Sequence, residues 1–193
     1  VGIPIQIKNT NDPSAQGTVI RETATEHERE HLITGIAGKK DFMAIHVQKA
    51  HMSNSVGFVR RALSVFERYG VSVEHIPTGV DSFGIVVNGA DVKDTIYSIV
   101  NDLRQELKPD SINVIDSLAL ISVVGRNMSR RAGTSGRIFG VLGEAGINIR
   151  MITQSSQEIS IILGVNNSDF ARAIKVIYDN FVESEYVSLD EKN

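Results

Sequence analysis

The sequence predicts an α+β protein made of two small domains that share one order of elements, and two observations support this prediction. First, the chain repeats itself at a distance of roughly 76 residues, a period that indicates two like domains rather than a solenoid, whose units are usually shorter. Second, both copies alternate β-branched runs with runs of helical spacing in the order β-α-β-β-α-β. The identical pairs include Met52 and Met128, Ser53 and Ser129, Gly57 and Gly133, and Gly70 and Gly146.

The apolar residues of the two copies match as well, and this match sets the expected register of the repeat. Val47 corresponds to Val123, and Phe66 corresponds to Leu142. The strand residues Phe83, Ile85 and Val87 are expected to correspond to Ile159, Ile161 and Leu163.

Residues 1–32 are predicted to lie outside both copies. Ile3, Ile5 and Ile7 alternate as in a strand, and residues 9–17 have the composition of a turn or loop. With no helix to cover it, this piece resembles the trailing edge of a larger upstream domain. The polar stretch 21–32 is expected to be a linker. The chain begins with Val1 rather than Met, so we expect a fragment or a separately made subunit.

The first domain is predicted to span residues 33–116. Strands are expected at 33–37, 42–47, 71–76, 83–87 and 112–115. The two helices are expected to carry their apolar stripes on Phe58, Ala62, Val65, Phe66 and Tyr69, and on Val92, Ile96, Ile99, Leu103 and Leu107. Gly70 is expected to end the first helix in a left-handed conformation, and Pro109 to mark the end of the second.

The second domain is predicted to span residues 117–193. It has expected strands at 118–124, 147–152 and 159–165, with a weak final strand at 186–189. Its helices carry the apolar residues Ile138, Val141, Leu142 and Ala145, and Phe170, Ile174, Ile177 and Phe181. The order of elements predicts a ferredoxin-like sandwich for each domain, an antiparallel four-stranded sheet with two helices on one face.

The bulk composition excludes several classes of function. The net charge of −3 argues against a general nucleic-acid binder, and the absence of cysteine excludes disulfides and thiolate chemistry. No apolar run reaches the length of a membrane helix, and no signal peptide is recognised, so we expect a cytoplasmic protein without a membrane partner. No phosphate-binding loop, nucleophile elbow or paired carboxylate cluster is present, and we expect no catalytic residues.

The stretch His27-Glu28-Arg29-Glu30-His31 matches the H-E-x-x-H pattern of zinc proteases. That motif requires a buried helix and a third ligand. The surrounding residues are polar on all sides and no third ligand is evident, so a charged linker is the preferred interpretation. No metal is expected, although a zinc hydrolase stays open as the enzymatic alternative.

The most promising binding site is the loop before the first helix. Ser53, Asn54, Ser55 and the small Gly57 precede a helix N-terminus, where free N–H groups and the helix dipole favour a carboxylate. An amino-acid site is one interpretation, and simple helix capping is the other. Glu74 follows on a strand and could pair with an ammonium group, or it could be only a solvent-exposed strand residue.

The second copy differs at both positions. Its loop carries Arg126, Arg130 and Arg131, and Arg150 stands where the first copy has Glu74. A cationic amino acid therefore fits the first copy better. The loop arginines could bind an anion, but a solvated surface or a contact with a neighbouring domain is the preferred interpretation.

With these residues in place, the chain resembles the paired ACT domains at the C-terminus of aspartokinases. Five stretches carry the resemblance: IPIQIKNTNDPSAQGTVI at 3–20, ITGIA at 33–37, and the second-copy segments VG at 124–125, GINI at 146–149 and MITQSSQEIS at 151–160. The first of these is similar to the last segment of that family's catalytic domain, so residues 1–32 are expected to be a kinase-domain tail and linker. The resemblance covers essentially the whole chain.

The resemblance implies an allosteric region that binds an end-product amino acid, lysine and/or threonine, and mediates feedback inhibition of aspartate phosphorylation. It implies a homodimer through the ACT domains, an aspartokinase catalytic domain as partner, and ATP and Mg bound by that domain rather than by this chain. In lysine-sensitive members, an acidic side chain at the Glu74 position meets the lysine ammonium. The effector-binding positions carried over are Met52, Ser53, Asn54, Ser55, Gly57, Phe58, Val59, Ser72, Val73, Glu74 and Thr78.

Two further expectations follow from the resemblance. Because no dehydrogenase sequence follows Asn193, the parent enzyme is expected to be monofunctional. Gly79 and Val80 stand where lysine-sensitive members show a serine and an acid, which leaves lysine, threonine or both open as the effector. The alternative function is a stand-alone ACT regulatory subunit of another amino-acid biosynthetic enzyme.

Overall fold

The computed structural model describes residues 3–20, 32–125, 128, 131–154 and 159–183. Nearly all of the predicted linker at 21–32, the H-E-x-x-H stretch and the predicted final strand at 186–189 lie outside these residues. Within the described parts of the chain, no helix is long and apolar enough to cross a membrane.

A short hairpin forms the N-terminal piece. Strand β1 (Ile5–Ile7) pairs antiparallel with β2 (Thr18–Ile20), and Gly17 has a φ of 72° in the turn that leads into β2. The alternation of isoleucines predicted β1, whereas the partner strand was not predicted. Ile5 and Ile7 are 59% and 55% exposed, so this hairpin has no core of its own.

The rest of the described chain is organised around one six-stranded sheet with the order β4-β5-β3-β6-β8-β7 and antiparallel pairing throughout. Two of its strands are long and lie at the centre, and four are shorter. The strands are β3 (Gly35–Gln48), β4 (Val73–His75), β5 (Ser82–Asn88), β6 (Ser111–Val124), β7 (Met151–Gln154) and β8 (Ser160–Asn166).

Five α-helices accompany the sheet in the described residues. They are α1 (Phe58–Arg68), α2 (Gly89–Val92), α3 (Ile96–Leu107), α4 (Thr134–Glu144) and α5 (Phe170–Tyr178), and α5 continues into a π-helical turn at Asp179–Glu183. The helices α1 and α4 end in the same way. Gly70 and Gly146 have φ values of 65° and 68°, and the next residue donates its N–H back to the carbonyl of Phe66 or Leu142.

The two expected four-stranded sheets are present, but they are fused. The C-terminal half of β3 pairs with the N-terminal half of β6 in the first unit, and the remaining halves pair in the second unit. Gln48 lies opposite Ser111 at one end of this long pairing, and Gly35 lies opposite Val124 at the other. The register shifts near Phe42, where the two units meet. Each unit therefore has the ACT-type strand order, with β3 and β6 shared.

This sharing corrects one part of the predicted division. The first domain was expected to begin at residue 33, but the segment 35–39 pairs with 120–124 and serves as the fourth strand of the second unit. Leu32 and Ile33 are 1% and 3% exposed and belong to the core of the second unit. The sequence alone could not show this, because a short apolar strand satisfies either sheet edge equally well.

Three hydrophobic clusters hold the described residues together. One lies between the sheet and α1 and α3, and a second lies between the sheet and α4 and α5. The third joins the two units and contains Phe42, Ala44, Val86 and Leu118. Because side chains alternate along a strand, Ala44 points to the opposite face of the sheet from Ile45. The curled sheet thus carries a small core on that face as well.

The matching of residues between the two copies shifts at strands β5 and β8, so the expected correspondence is wrong there. Val47 lies opposite Phe83, and Val123, its counterpart, lies opposite Ile161 rather than Ile159. Ile159 is 46% exposed, whereas Phe83 is 1% exposed. The turn before β8 is therefore two residues longer in the second copy than the one before β5. An even shift preserves the alternation, so the buried face was still predicted correctly.

Candidate functional site

The loop between β3 and α1 contains most of the predicted site residues. Met52–Asn54 form a 3-10 turn, and Gly57 follows with a left-handed backbone (φ 71°) immediately before α1. Gly57 has no side chain with which to cap the helix, and Ser53 and Asn54 are exposed. The capping interpretation of this loop therefore fails. The N–H of Phe58 donates to the carbonyl oxygen of Ser55 at 3.2 Å, and the N–H groups of Val59 and Arg60 lack intrahelical partners, as at any helix start.

Arg61, which the sequence analysis did not single out, fixes this loop. Its Nη1 donates to the carbonyl oxygen of Val56 at 3.0 Å and its Nη2 donates to Ser55 Oγ at 3.3 Å. The guanidinium also lies 5.8 Å from the centre of the Phe58 ring. Arg61 follows Phe58 by three positions on one helix face, and this spacing is the signal that could have identified it.

Two of the predicted site residues serve the core instead of the surface. Met52 is 8% exposed and Phe58 is 3% exposed. The Phe58 ring packs edge-on against the Phe83 ring, with centroids 5.9 Å apart and an interplanar angle of 88°. Val59 and Val73 are partly buried against the same core. These four side chains pack in the core and position the loop and the strand.

The turn between β4 and β5 lies at the same end of the sheet as the loop. Lys49 donates its backbone N–H to the carbonyl of Asp81 at 2.9 Å, which links the two segments directly. The turn is closed by hydrogen bonds from Gly79 N to Ser82 O (2.7 Å) and from Gly84 N to Pro77 O (2.8 Å). Thr78 forms a bridge with Phe83, and its side chain is exposed.

Glu74 is the extra residue of a β-bulge at the edge of the sheet. Val73 lies opposite Val87 and His75 lies opposite Val86, so Glu74 has no partner in the ladder. Bulges reorient side chains and occur often beside functional sites. The Glu74 side chain is exposed. The sequence identified this residue by its charge but gave no sign of the bulge.

His75, next to Glu74, is half-buried and has a desolvated ring. Its Nε2 atom is buried and has no hydrogen-bond partner among the described residues. Burial lowers the pKa of His75 from its ordinary value of 6.5, since the imidazolium form would lose its hydration. The neutral form is therefore favoured beside the Glu74 carboxylate.

The strand directions bring the loop after β3 and the turn after β4 to one end of the sheet, whereas Glu74 lies level with Met43 and Ala44, before the end of β3. Both β3 and β4 run antiparallel to β5, so they run in the same direction and end on the same side. The loop after β3 and the turn after β4 are therefore neighbours, and Glu74 precedes the turn. The predicted positions with exposed side chains are Ser53, Asn54, Ser72, Glu74 and Thr78.

The second copy shares the geometry but carries different side chains. Gly133 precedes α4 with a φ of 85°, as Gly57 precedes α1, and Met128 is 4% exposed. Thr134 is buried and donates its hydroxyl to the carbonyl of Arg131 at 2.8 Å. Arg126 and Arg130 lie outside the described residues, so their role stays a prediction.

A metal site requires several ligand side chains close together. Among the residues that the structure describes, no group of three or more His, Asp or Glu side chains could hold a metal ion. His27 and His31 of the H-E-x-x-H stretch are not among these residues.

Comparison with known proteins agrees with the fold. The ACT domain family matches residues 121–181. Aspartokinase 3 of Bacillus subtilis is 37% identical over 188 residues, which cover 97% of this chain and 41% of the relative. A crystal structure of the aspartate kinase of Clostridium acetobutylicum superposes with a TM-score of 0.87 at 44% identity, over 93% of this chain and 42% of the other.

A more distant structure shows the same fold. Escherichia coli aspartokinase III in complex with lysine and aspartate superposes with a TM-score of 0.73 at 23% identity, over 94% of this chain and 39% of the other. The chain thus spans about two fifths of the length of the aspartokinases it matches.

The fused pair of ACT units and these matches define a regulatory protein of the ACT-domain class. Within that class, the chain belongs to the aspartokinase family and corresponds to its C-terminal regulatory region.

Proposed function

We propose that the first ACT unit binds an end-product amino acid, lysine and/or threonine, and that binding inhibits the phosphorylation of aspartate by an associated aspartokinase catalytic domain. The observation that carries this proposal is the pairing of an uncapped helix start with an acidic bulge residue, Glu74, in one unit. A stand-alone regulatory subunit of another enzyme is disfavoured, since the matched relatives are aspartokinases.

The helix start supplies the carboxylate end of the site. The amide groups of the first turn of α1 and the positive end of its dipole attract an anion. Gly57 leaves room there, because a Cβ added to it would meet no atom closer than 3.7 Å. Arg61 holds the loop through Val56 and Ser55, so the donors are arranged before the ligand arrives. The exposed Ser53 and Asn54 can add side-chain hydrogen bonds.

Glu74 supplies the ammonium end. Its bulged position exposes a carboxylate on the strand that precedes the turn beside the loop. A lysine side chain that extended along this edge would place its ammonium against Glu74, a charge-assisted contact. The crystal structure of the E. coli enzyme with lysine supports lysine as a ligand for this fold. Arg150 occupies the equivalent position in the second copy and would repel the same ammonium.

Strand β3 offers a route from the sensor to the catalytic domain. It begins in the second unit, next to the predicted linker, and ends at the loop of the site in the first unit. Any change in the site loop therefore acts on a strand that is common to both units. An effector shifts such an equilibrium only by its differential affinity for the two states, typically about 1–3 kcal/mol.

Three partners complete the proposal. The edge strand β4 is open for pairing with a second copy, which supports a homodimer formed through the ACT units. The catalytic domain would lie beyond the linker and would bind ATP and Mg. This chain would contribute no catalytic residue.

Isothermal titration calorimetry of the chain with lysine and with threonine tests the proposed function. We expect lysine to bind and Glu74→Gln to weaken that binding at least about tenfold, as expected for loss of a charge-assisted pair. Glu67→Gln, which removes an exposed carboxylate from α1, is the matched control and should have no effect. If folded protein gave no heat with either amino acid at millimolar concentration, the proposal would be wrong.

A further inference from the structure

A cavity of about 600 Å³ lies where the second unit meets the first, at the end of the second unit where β7 begins and β8 ends. Its lining comprises 114–117, Arg150 and 166–168. This is the end of the unit opposite the loop that precedes α4. The volume lies within the range of small-molecule pockets, roughly 300–1,000 Å³. The site proposed in the first unit does not include any of these residues.

Residues of opposite charge line the cavity. Arg150 donates from Nη1 to Asn166 Oδ1 at 2.8 Å, which fixes the guanidinium at the cavity wall. A guanidinium has five N–H donors, so several remain for a carboxylate. Asp116 also lines the cavity, and its carboxylate makes no hydrogen bond or ion pair with any residue that the structure describes.

Comparison with the first copy shows that this cavity does not follow from the fold alone. In the first copy, Asn88 uses its Oδ1 to accept the N–H of Ala90 at 3.3 Å, which caps α2. Its counterpart Asn166 makes no such cap and instead accepts from Arg150. The asparagine side chain thus caps a helix in the first copy and accepts from the Arg150 guanidinium in the second.

The residue that follows this asparagine also differs between the two copies. Gly89 packs so closely on Asp41 that an added Cβ would lie 2.8 Å from its carbonyl oxygen. The counterpart of Gly89 is Asn167, whose Nδ2 donates to Asp41 Oδ1 at 2.8 Å. Asn167 therefore turns its side chain toward β3 in the adjoining unit, on which Asp41 lies.

Two hydroxyl groups complete the lining. Ser117 has a left-handed backbone with a φ of 52°, an uncommon conformation for a residue other than glycine. Such backbone outliers concentrate at functional sites. The hydroxyls of Ser117 and Ser168 have no protein partner within the described part of the chain. They can therefore donate to or accept from a polar ligand.

From this arrangement we infer that the second unit holds a separate site for a neutral, zwitterionic α-amino acid. Arg150 binds the α-carboxylate, Asp116 binds the α-ammonium, and Ser117 and Ser168 contact a short polar side chain. The two charges of the site cancel, so a side chain with its own charge gains nothing there. This site stands independently of the proposed sensor in the first unit, which selects a cation through Glu74.

Amide chemical shifts of the full 193-residue chain, followed by NMR during titration with L-threonine, test this inference. We expect the largest shifts at residues 115–117 and 166–168. Calorimetry should show that Arg150→Gln and Asp116→Asn each weaken threonine binding at least about tenfold. Arg104→Gln, which removes an exposed arginine from α3, is the matched control and should leave the affinity unchanged.

Several results would overturn the inference. It is wrong if threonine shifts only residues 52–59 and 72–78, which would place the ligand in the first unit. It is also wrong if threonine does not bind at millimolar concentration, or if both variants keep the wild-type affinity. The amide spectrum of each variant shows whether it is folded, so loss of folding is distinguished from loss of the site.

Discussion

Lys49 donates its backbone N–H to the carbonyl of Asp81 at 2.9 Å, and this hydrogen bond ties the loop after β3 to the turn after β4. The two segments are far apart in the sequence, yet both carry residues of the proposed effector site. Because this backbone hydrogen bond joins the two segments, a ligand that bound one segment would act on the other. The geometry of this end of the sheet leads to the predictions that follow.

Gly57→Ala should destabilise the chain. The residue has a φ of 71°, and an alanine in that conformation costs about 1–2 kcal/mol. Space is available for the added methyl group, so the cost is in the backbone alone. Gly140→Ala is the control, since this glycine lies inside α4 with open space around it, and should stabilise by about 0.5–1 kcal/mol. Urea unfolding measures both, and equal effects would contradict the role of the left-handed backbone.

Arg61→Gln should weaken effector binding more than Arg60→Gln does. Both substitutions remove one positive charge near the start of α1, but only Arg61 makes hydrogen bonds to Ser55 and Val56. Loss of these bonds loosens the loop and raises the entropy lost on binding. Calorimetry with lysine provides the comparison. Identical losses for the two variants would show that Arg61 acts through charge rather than by holding the loop.

Leu32→Ala should destabilise the second unit, because Leu32 is 1% exposed in its core. Truncation of a buried leucine costs about 2–5 kcal/mol. Hydrogen exchange should show lost protection in 119–124 and 160–165 before any loss in α1. Ile3→Ala, at a residue that is 80% exposed, is the control and should change stability little. Early loss of protection in α1 would contradict the assignment of residues 32–39 to the second unit.

His75 should contribute a pH dependence to stability. Burial lowers its pKa in the folded state from the ordinary value of 6.5. Below about pH 6.5 the unfolded chain therefore binds more protons than the folded chain, and the free energy of unfolding falls as the pH decreases. Above that pH both states are neutral and the contribution is complete. His75→Gln should remove this part of the dependence of the unfolding free energy on pH. Urea unfolding between about pH 7.5 and 5.5 measures it, because these values lie on either side of the ordinary histidine pKa, roughly 6.5.

His46→Gln provides the control for the pH dependence, because it removes another imidazole from the same unit. An unchanged slope for His75→Gln, relative to wild type, would contradict the proposed desolvation of His75.

The sequence predicted the repeated element order and the buried faces because both depend on local periodicity. The left-handed glycine at Gly70, where a helix ends, was also predicted, whereas the left-handed backbone of Gly57 was not. The long-range pairing of strands was not predictable. The exchange of the strand at 35–39 into the second unit requires knowledge of which sheet edge is free, and local patterning does not contain it. The two-residue difference before β8 was hidden because an even shift keeps the same face buried.

In the candidate site, too, the sequence identified some features and could not specify others. Charge identified Glu74, and composition identified the loop at Ser53 and Asn54. The bulge at Glu74 and the bonds from Arg61 to the loop depend on pairing and on side-chain rotamers, which a single sequence does not specify. Met52 and Phe58 were expected to contact the effector, but the structure buries both in the core.

The most direct test of the central claim, that the first unit is the sensor, is an amide NMR titration of the chain with L-lysine. The account predicts saturable shifts at residues 53–59 and 72–78, and their loss in Glu74→Gln. Shifts confined to the equivalent second-unit segments, 131–136 and 148–153, would contradict it.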